Sequence, residues 1–469
     1  MMIKSYSSLV RHPDNVALFK AIEMSILAAE NGQPLHIHAE GLRGTGKTTI
    51  IRSAKGVLPR IERVAGCLFN CDPRAPHCPE HRHLDYTELV TLGTEWVPMP
   101  FLEVSHSAKV ATVVGGVDLE RLTNKQHPEA ALLPGTLAQA HRGIIFVDEI
   151  NRLADTSPEL ADILLDVMGT KPGRLQIEDA GLPKIELVSL VTVWAASNPD
   201  EDPGPLEGIR RQLADRFDLC IGVRRPNNFS AIMAILQQTE TTPAVTVGRE
   251  ELLTVSARLN SALHRLTELT LAENQKAFLA HIYLDHNLES LRALEAITLG
   301  VRMHASLEGK ETVDIDDLRT VIPMALKHRT EPHVLSDILD ALNHWALAEE
   351  AAAPPIPIAS KPGQEAVEQT GSNPDGTSYA VSKYNFLSRL FGSLRERQEE
   401  NRDISDVNLA PNGGATPLKR DSAENATFST GPLNSNVVTI TAPPNPAKSV
   451  KDLPESRLVM TEEALRRDH

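Results

Sequence analysis

Residues 41–48 read Gly-Leu-Arg-Gly-Thr-Gly-Lys-Thr. Just before them Leu35, Ile37 and Ala39 alternate with His36 and His38, as a strand entering a sheet does. Just after them Thr48-Thr49-Ile50-Ile51-Arg52 opens a helical stretch. A strand, a glycine-rich turn and a helix in that order make a phosphate cradle. Gly41, Gly44 and Gly46 free the backbone to turn its N–H groups toward phosphate oxygens, and the helix N-terminus adds its positive dipole end. Lys47 is then placed for the β- and γ-phosphates, and the Thr48 hydroxyl for a magnesium ion. Thr45 and Thr49 complete the stretch expected to hold a nucleoside triphosphate such as ATP.

Working outward, residues 1–230 alternate short apolar strands with helical patterns, which predicts a mainly parallel sheet covered on both faces. The clearest strands are 35–39, Ile144–Val147, Val191–Ala195 and Leu219–Val223, whose near-continuous apolar runs suit burial on two sides. From 231 to 350 the pattern changes. Leu252, Leu253, Leu259, Leu263, Leu266 and Leu269 recur at helical spacing, as do Leu291, Leu294, Ile297, Val301 and Ala305, so a small all-helical domain is expected. Residues 351–469 are rich in Pro, Ser, Asn, Thr and Gly and read as a largely disordered tail. Within it, 382–400 carries an apolar helical face (Tyr384, Leu387, Leu390, Phe391, Leu394), either a transient helix or a partner-docking segment.

Three further elements add chemistry. Gly143-Ile-Ile-Phe-Val-Asp-Glu-Ile-Asn151 is a buried strand with Asp148 emerging at its C-terminal end, where Asp148 can hold magnesium through water. Glu149 is placed to orient or deprotonate the attacking water. Val191-Thr-Val-Trp-Ala-Ala-Ser-Asn198-Pro199 ends another strand in an amide that can bond the lytic water or the γ-phosphate. Arg216, in Leu213-Ala-Asp-Arg-Phe217, stands before the next strand and can reach the γ-phosphate of a neighbouring subunit. The other reading of Arg216 is a surface residue paired with Asp215 or Asp218.

These elements, in this order and with a helical domain behind them, resemble the AAA+ ATPases: a P-loop three-layer αβα domain with a parallel sheet, followed by an all-α lid. The likeness narrows to the ATPase (I) subunit of magnesium chelatase, in the clade shared with MoxR-type proteins. Ser7-Ser8-Leu9-Val10, Arg43–Thr48 and Arg142–Asn151 are similar to that family's motifs. Val113-Val-Gly-Gly-Val-Asp-Leu-Glu120 resembles its second-helix insertion. Leu175–Asp179 with Ile185–Val188 resembles its pre-sensor hairpin. Ser290-Leu-Arg292-Ala-Leu-Glu resembles the second-sensor segment, so the resemblance gives Arg292 a phosphate contact; a helical surface arginine is the alternative. Asp314–Arg329, ending Met-Ala-Leu-Lys-His-Arg, resembles the family's last helix. Arg11-His12 replace the family's usual Gly-Gln pair. No integrin-like metal-binding segment is visible, which separates the chain from the D-type subunit.

The resemblance implies ATP and Mg2+ as cofactors and a homo-hexameric ring, with an integrin-domain D-type subunit and a porphyrin-binding large subunit as partners. The implied activity is ATP hydrolysis that drives metal insertion into protoporphyrin IX on another chain. A MoxR-like chaperone that matures a metalloenzyme would share every ATPase residue and is the alternative.

A separate cluster, Cys67-x3-Cys71-x6-Cys78-x2-His81, offers four ligands inside a proline-rich insert of about 64–93. The spacing suits tetrahedral zinc, with His77 and His83 competing for the fourth position. Redox-sensitive thiols and inert cysteines are the competing readings. Cys220 reads as a small core residue, and the other histidines as solvated surface.

The 469-residue chain has 41% hydrophobic and 4% aromatic residues, so aliphatic side chains must carry its cores. A formal charge of −15 disfavours a general nucleic-acid or anionic-membrane surface. The hairpin after residue 174 sets Glu178, Asp179 and Glu186 against Arg174 and Lys184, a poor track for phosphates. With no charged-then-apolar leader, and with its longest apolar stretch too short to span a bilayer, the chain is expected to be cytoplasmic.

Overall fold

A computed structural model describes residues 5–118, 122–123, 131–178, 184–240 and 245–352, apart from the side chains of 239–253 and 349–352. Asp179, residues 119–120 and the whole segment from 353, including 382–400, lie outside the described residues. The strands are β1 (Ile37–Glu40), β2 (Arg60–Val64), β3 (Thr94–Pro98), β4 (Phe101–Val104), β5 (Gly115–Val117) and β6 (Leu132–Pro134). They continue with β7 (Ile144–Val147), β8 (Gly173–Ile177), β9 (Ile185–Ser189), β10 (Thr192–Ser197) and β11 (Leu219–Gly222).

Five of these make the central sheet, in the order β11-β1-β10-β7-β4. Every pairing in it is parallel. The four strands read from the sequence are all present, with ends displaced by up to two residues. The fifth, β4, is an edge strand of only four residues, and its Leu102 and Glu103 are partly or largely open to solvent. The sheet has two apolar faces because its strands alternate between two cores. Ile144, Phe146, Trp194 and Ala196 point into one, Ile145, Val147, Val193 and Ala195 into the other. This is the α/β arrangement of AAA+ proteins, with helices over both faces.

The first core runs without a break from the sheet, through the helix Val16–Glu30, into the helical region that begins at Phe229. Helix Val16–Glu30 is therefore buried on nearly all sides rather than on one stripe. Among the lid helices, Leu291–Leu307 and Ile315–Leu326 approach closely at Gly300, where a Cβ would come within 2.7 Å of Val321 Cγ1. Three antiparallel pairs, β2–β3, β5–β6 and β8–β9, project from the sheet. The β8–β9 pair is the expected pre-sensor hairpin, in register from Gly173 opposite Ser189 to Ile177 opposite Ile185. Its Arg174 faces Glu186 at 3.3 Å and its Lys184 faces Glu178 at 3.0 Å, so the two cations are neutralised locally. Among the described residues no helix is long and apolar enough to cross a membrane.

Candidate functional site

The loop after β1 is shaped by its glycines. Gly44 and Gly46 sit at φ of +79° and +89°, the left-handed region that side chains avoid. At Gly41 a Cβ would lie 2.1 Å from the carbonyl oxygen of Val223, so nothing larger than hydrogen fits. Val223 is in turn tied to Glu40, its N–H donating to the Glu40 carbonyl at 2.7 Å, so the neighbour cannot retreat. The turn then feeds the helix Lys47–Ser53. Lys47 Nζ lies over the loop and donates to the carbonyls of Gly41 and Leu42 at 2.5 and 2.9 Å.

These residues line a cleft of about 210 Å3 whose walls include Lys47, Thr48, Asp148, Glu149 and Asn198. The carboxylate and hydroxyl assigned to magnesium are already in contact: Thr48 Oγ1 donates to Asp148 Oδ1 at 3.3 Å. Partial burial raises the Asp148 pKa above its ordinary value, opposed by Arg52, which reaches Asp148 at 3.5 Å and grips Glu103 with two nitrogens. Partial burial also lowers the pKa of Lys47, opposed by Asp148 and Glu201. A divalent cation beside Asp148 would favour its carboxylate, and a phosphate beside Lys47 would favour its ammonium.

Glu149 follows β7 at φ +54° and ψ +49°, a left-handed conformation in a residue with a full side chain. Such backbone costs on the order of 1–3 kcal/mol and is kept where the surroundings over-determine it. Here it turns the strand end directly into the helix Ile150–Thr156 and leaves Glu149 on the cleft wall. Its carboxylate is 3.3 Å from Arg152 and 3.9 Å from His106 Nδ1. Asn198 follows β10 on the same wall. Its carbonyl accepts from the buried Asn151 amide at 3.2 Å, and the same amide binds Gly204 at 3.1 Å, pinning the loop.

Arg216 and Arg292 are elsewhere. They share a second pocket of about 530 Å3 with Asp166, Gly169, Arg174 and Glu186, none of which borders the first cleft. Arg216 is not paired with Asp215 or Asp218: Asp215 binds Arg329 at 3.0 Å and Asp218 binds Lys171 at 2.8 Å. Burial and the neighbouring Arg292 both lower the Arg216 pKa. Two half-buried guanidiniums side by side form an anion-seeking surface.

A model of the AAA lid domain matches residues 276–341. The magnesium-chelatase 38 kDa subunit of Acidiphilium rubrum is 32% identical over 308 residues, which cover 64% of this chain and 85% of that protein. The chain belongs to the magnesium-chelatase 38 kDa subunit family. The same subunit of Cereibacter sphaeroides is 31% identical over 323 residues, 68% of this chain and 90% of that protein. A chain from a structure of the complex between subunits BchI and BchD of magnesium chelatase, built on a cryo-EM reconstruction, matches at 26% identity and a TM-score of 0.37, covering 72% of this chain and 99% of that chain.

This family member contains a device that the sequence did not announce. Lys327, His328 and Arg329, at the end of helix Ile315–Leu326, all reach into the αβα domain. Lys327 Nζ binds Glu40, the residue before the phosphate loop. His328 Nε2 bonds the carbonyl of Phe217 at 2.9 Å. Arg329 donates to the Asp215 carboxylate and to the carbonyls of Asp215, Phe217 and Asp218, bracketing the corner that carries Arg216. One turn of the lid thus grips both halves of the candidate machinery.

One expectation is corrected. His36 and His38 are not solvated but fully buried, with pKa values lowered by burial to about 4. His36 Nδ1 accepts from the Val193 N–H at 3.0 Å and His38 Nε2 contacts Ser197 Oγ at 2.8 Å, so each ring replaces a core contact with a cross-strand hydrogen bond. Cys220 is buried at 1% exposure, as a small core residue is expected to be. Its sulfur lies with His38, Glu40 and Glu207, and the Lys327 ammonium 4.0 Å away already supplies that group with a cation. Arg11 is held by Glu23 at 2.9 Å and stacks over Phe19, while His12 is buried.

Proposed function

We propose that this chain is the ATP-hydrolysing ring subunit of a magnesium-chelatase-type complex, driving metal insertion into protoporphyrin IX by a partner subunit. Family membership supports the reaction. The observation that carries the mechanism is the separation of the two sites on one chain: Lys47, Thr48, Asp148, Glu149 and Asn198 line one cleft, Arg216 and Arg292 another. Such a division is useful if each nucleotide lies between subunits, the first set from one protomer and the arginines from its neighbour, closing a homo-hexameric ring.

In this reading Gly41, Gly44, Thr45, Gly46 and Thr49 shape the phosphate cradle. The residues fit Mg2+ as well: the Thr48 hydroxyl and Asp148 carboxylate are hard oxygen donors in mutual contact, and bound Mg2+ would offset phosphate charge. Glu149 orients and deprotonates the attacking water, and Asn198 bonds that water or the γ-phosphate. Arg216 and Arg292 neutralise charge on the neighbour's triphosphate. The Lys327–Arg329 turn would carry strain between lid and sheet as hydrolysis proceeds, to a D-type subunit and a porphyrin-binding large subunit.

Glu149→Gln tests the assignment. The variant is expected to bind ATP like the wild type and to lose Mg2+-dependent turnover; unchanged turnover would remove Glu149 from its role. Addition of the wild-type chain to a D-type and a porphyrin-binding subunit is expected to produce ATP-dependent Mg2+ insertion into protoporphyrin IX.

A further inference from the structure

The ATPase reading leaves the insert between β2 and β3 unexplained. Its apolar content is small, yet Cys67, Cys71 and Cys78 are all buried, 3% exposed or less, and all are free thiols. Their three sulfurs and a ring nitrogen of His81 lie within 4.8 Å of one another. Tetrahedral zinc, with Zn–S of about 2.3 Å and Zn–N of about 2.0 Å, requires sulfurs about 3.8 Å apart and sulfur to nitrogen about 3.5 Å. The Cys78 Sγ to His81 Nδ1 separation is 3.1 Å, close to that requirement.

The backbone is arranged as thiolate ligands need. Cys71 Sγ accepts from two main-chain N–H groups, those of His77 and Cys78, each at 3.4 Å. A neutral buried thiol gains little from two such donors, whereas a metal-bound thiolate has the charge to use them. Cys67 and Cys78 each begin a tight turn: Asn70 N–H donates to the Cys67 carbonyl, and the N–H groups of His81 and Arg82 to that of Cys78. The second turn brings His81 round beside the Cys78 sulfur. Of the competing imidazoles, His77 Nδ1 touches only the Cys71 sulfur, at 3.4 Å, whereas a ring nitrogen of His81 lies with all three sulfurs. His77 stacks on His141 with ring centroids 3.7 Å apart, and His83 accepts from Arg82 Nε at 3.2 Å.

We propose that Cys67, Cys71, Cys78 and His81 bind one structural Zn2+. The ion would staple the insert to the αβα domain beside the strand that carries Asp148. The insert already touches that region: the Asn70 amide donates to the Gln139 carbonyl at 2.6 Å, and His141, under His77, accepts from the Leu190 N–H at 3.3 Å. Phe69 and Leu89 are the insert's few apolar anchors in the second core, and zinc would add a cross-link to them. Since His81 alone among the ligands is partly exposed, it is the side through which the ion enters and leaves.

Elemental analysis of the full-length chain, purified under reducing conditions, tests this. The wild type, His77→Ala and His83→Ala are expected to carry one zinc per chain, and Cys78→Ser and His81→Ala to lose it. His81→Cys, which keeps four ligands, is expected to retain the ion and controls for misfolding. Replacing Zn2+ by Co2+ should produce a thiolate-to-metal charge-transfer band in the wild type, and chelation should open residues 64–93 to proteases. A folded, reduced wild-type chain that holds no zinc and takes up no Co2+ would overturn the proposal. So would zinc retained in both Cys78→Ser and His81→Ala, or a disulfide among the three cysteines.

Discussion

Arg329→Ala is the most searching perturbation of the lid turn. The guanidinium is 6% exposed and donates five hydrogen bonds, to the Asp215 carboxylate and to the carbonyls of Asp215, Phe217, Asp218 and Ala325. Not all of these losses count equally. Asp215 is 37% exposed, so water takes over its carboxylate, and Phe217 keeps His328 as a partner. The main-chain oxygens of Asp215 and Asp218 are left to rearrange, each at about 1–3 kcal/mol when unsatisfied. A total near 3 kcal/mol follows, or a fall in melting temperature of about 4 °C for a folded region of this size. The effect on rate should be larger than stability alone explains. The corner from Asp215 to Asp218 carries Arg216, and a displacement of about 1 Å in such a group costs on the order of 100-fold in rate. Steady-state ATPase activity, measured well below the lowered melting temperature, is therefore expected to drop by about that factor, with ATP affinity unchanged. Arg329→Lys should recover little, because one ammonium cannot bridge the carboxylate and carbonyls that a planar fork reaches. A variant destabilised as expected that hydrolyses ATP at the wild-type rate would refute the positioning role.

Other consequences are open to simple assays. Gly41→Ala should abolish ATP binding in a fluorescent-nucleotide titration, since its Cβ would meet the Val223 carbonyl at 2.1 Å; wild-type affinity would show that the loop relaxes freely. Acid should weaken the fold through His36 and His38, which titrate near 4 when folded and near 6.5 when unfolded. The unfolded chain takes up the protons first, so stability present above pH 6.5 declines below it and this contribution is gone by pH 4. Each ring contributes about 2 kcal/mol of loss by pH 5. Urea midpoints at pH 7 and pH 5 measure this, and a His38→Asn variant should show a shallower decline.

Much of the nucleotide cleft was legible because its parts are local. A strand buried on both faces must be apolar throughout, so Ile144–Val147 and the residues before Asn198 stand out, and the acids and amides at their ends are easy to place. The glycines of the loop likewise follow from backbone geometry alone. Partners distant in sequence were harder to foresee. His36 and His38 look like the polar face of a half-exposed strand, and only their bonds to Val193 and Ser197 explain their burial. β4 was missed because an edge strand with Glu103 in it lacks the apolar run of its neighbours. The common pocket of Arg216 and Arg292, and the grip of Lys327, His328 and Arg329, depend on how the lid folds back over the sheet. No local pattern encodes that contact. The left-handed Glu149 is also silent in sequence, since its strain is tolerated only in its assembled surroundings.

The central claim is that one chain's cleft is completed by another chain's arginines, and mixing two inactive variants tests it most directly. Lys47→Ala removes the cleft's own cation and Arg216→Ala the group offered to a neighbour. In a mixed ring, some interfaces pair an intact Lys47 cleft with an intact Arg216. The mixture is predicted to hydrolyse ATP faster than either variant alone, with a maximum at an intermediate ratio. ATPase activity that never exceeds the sum of the separate variants, in rings shown to contain both, would contradict the claim.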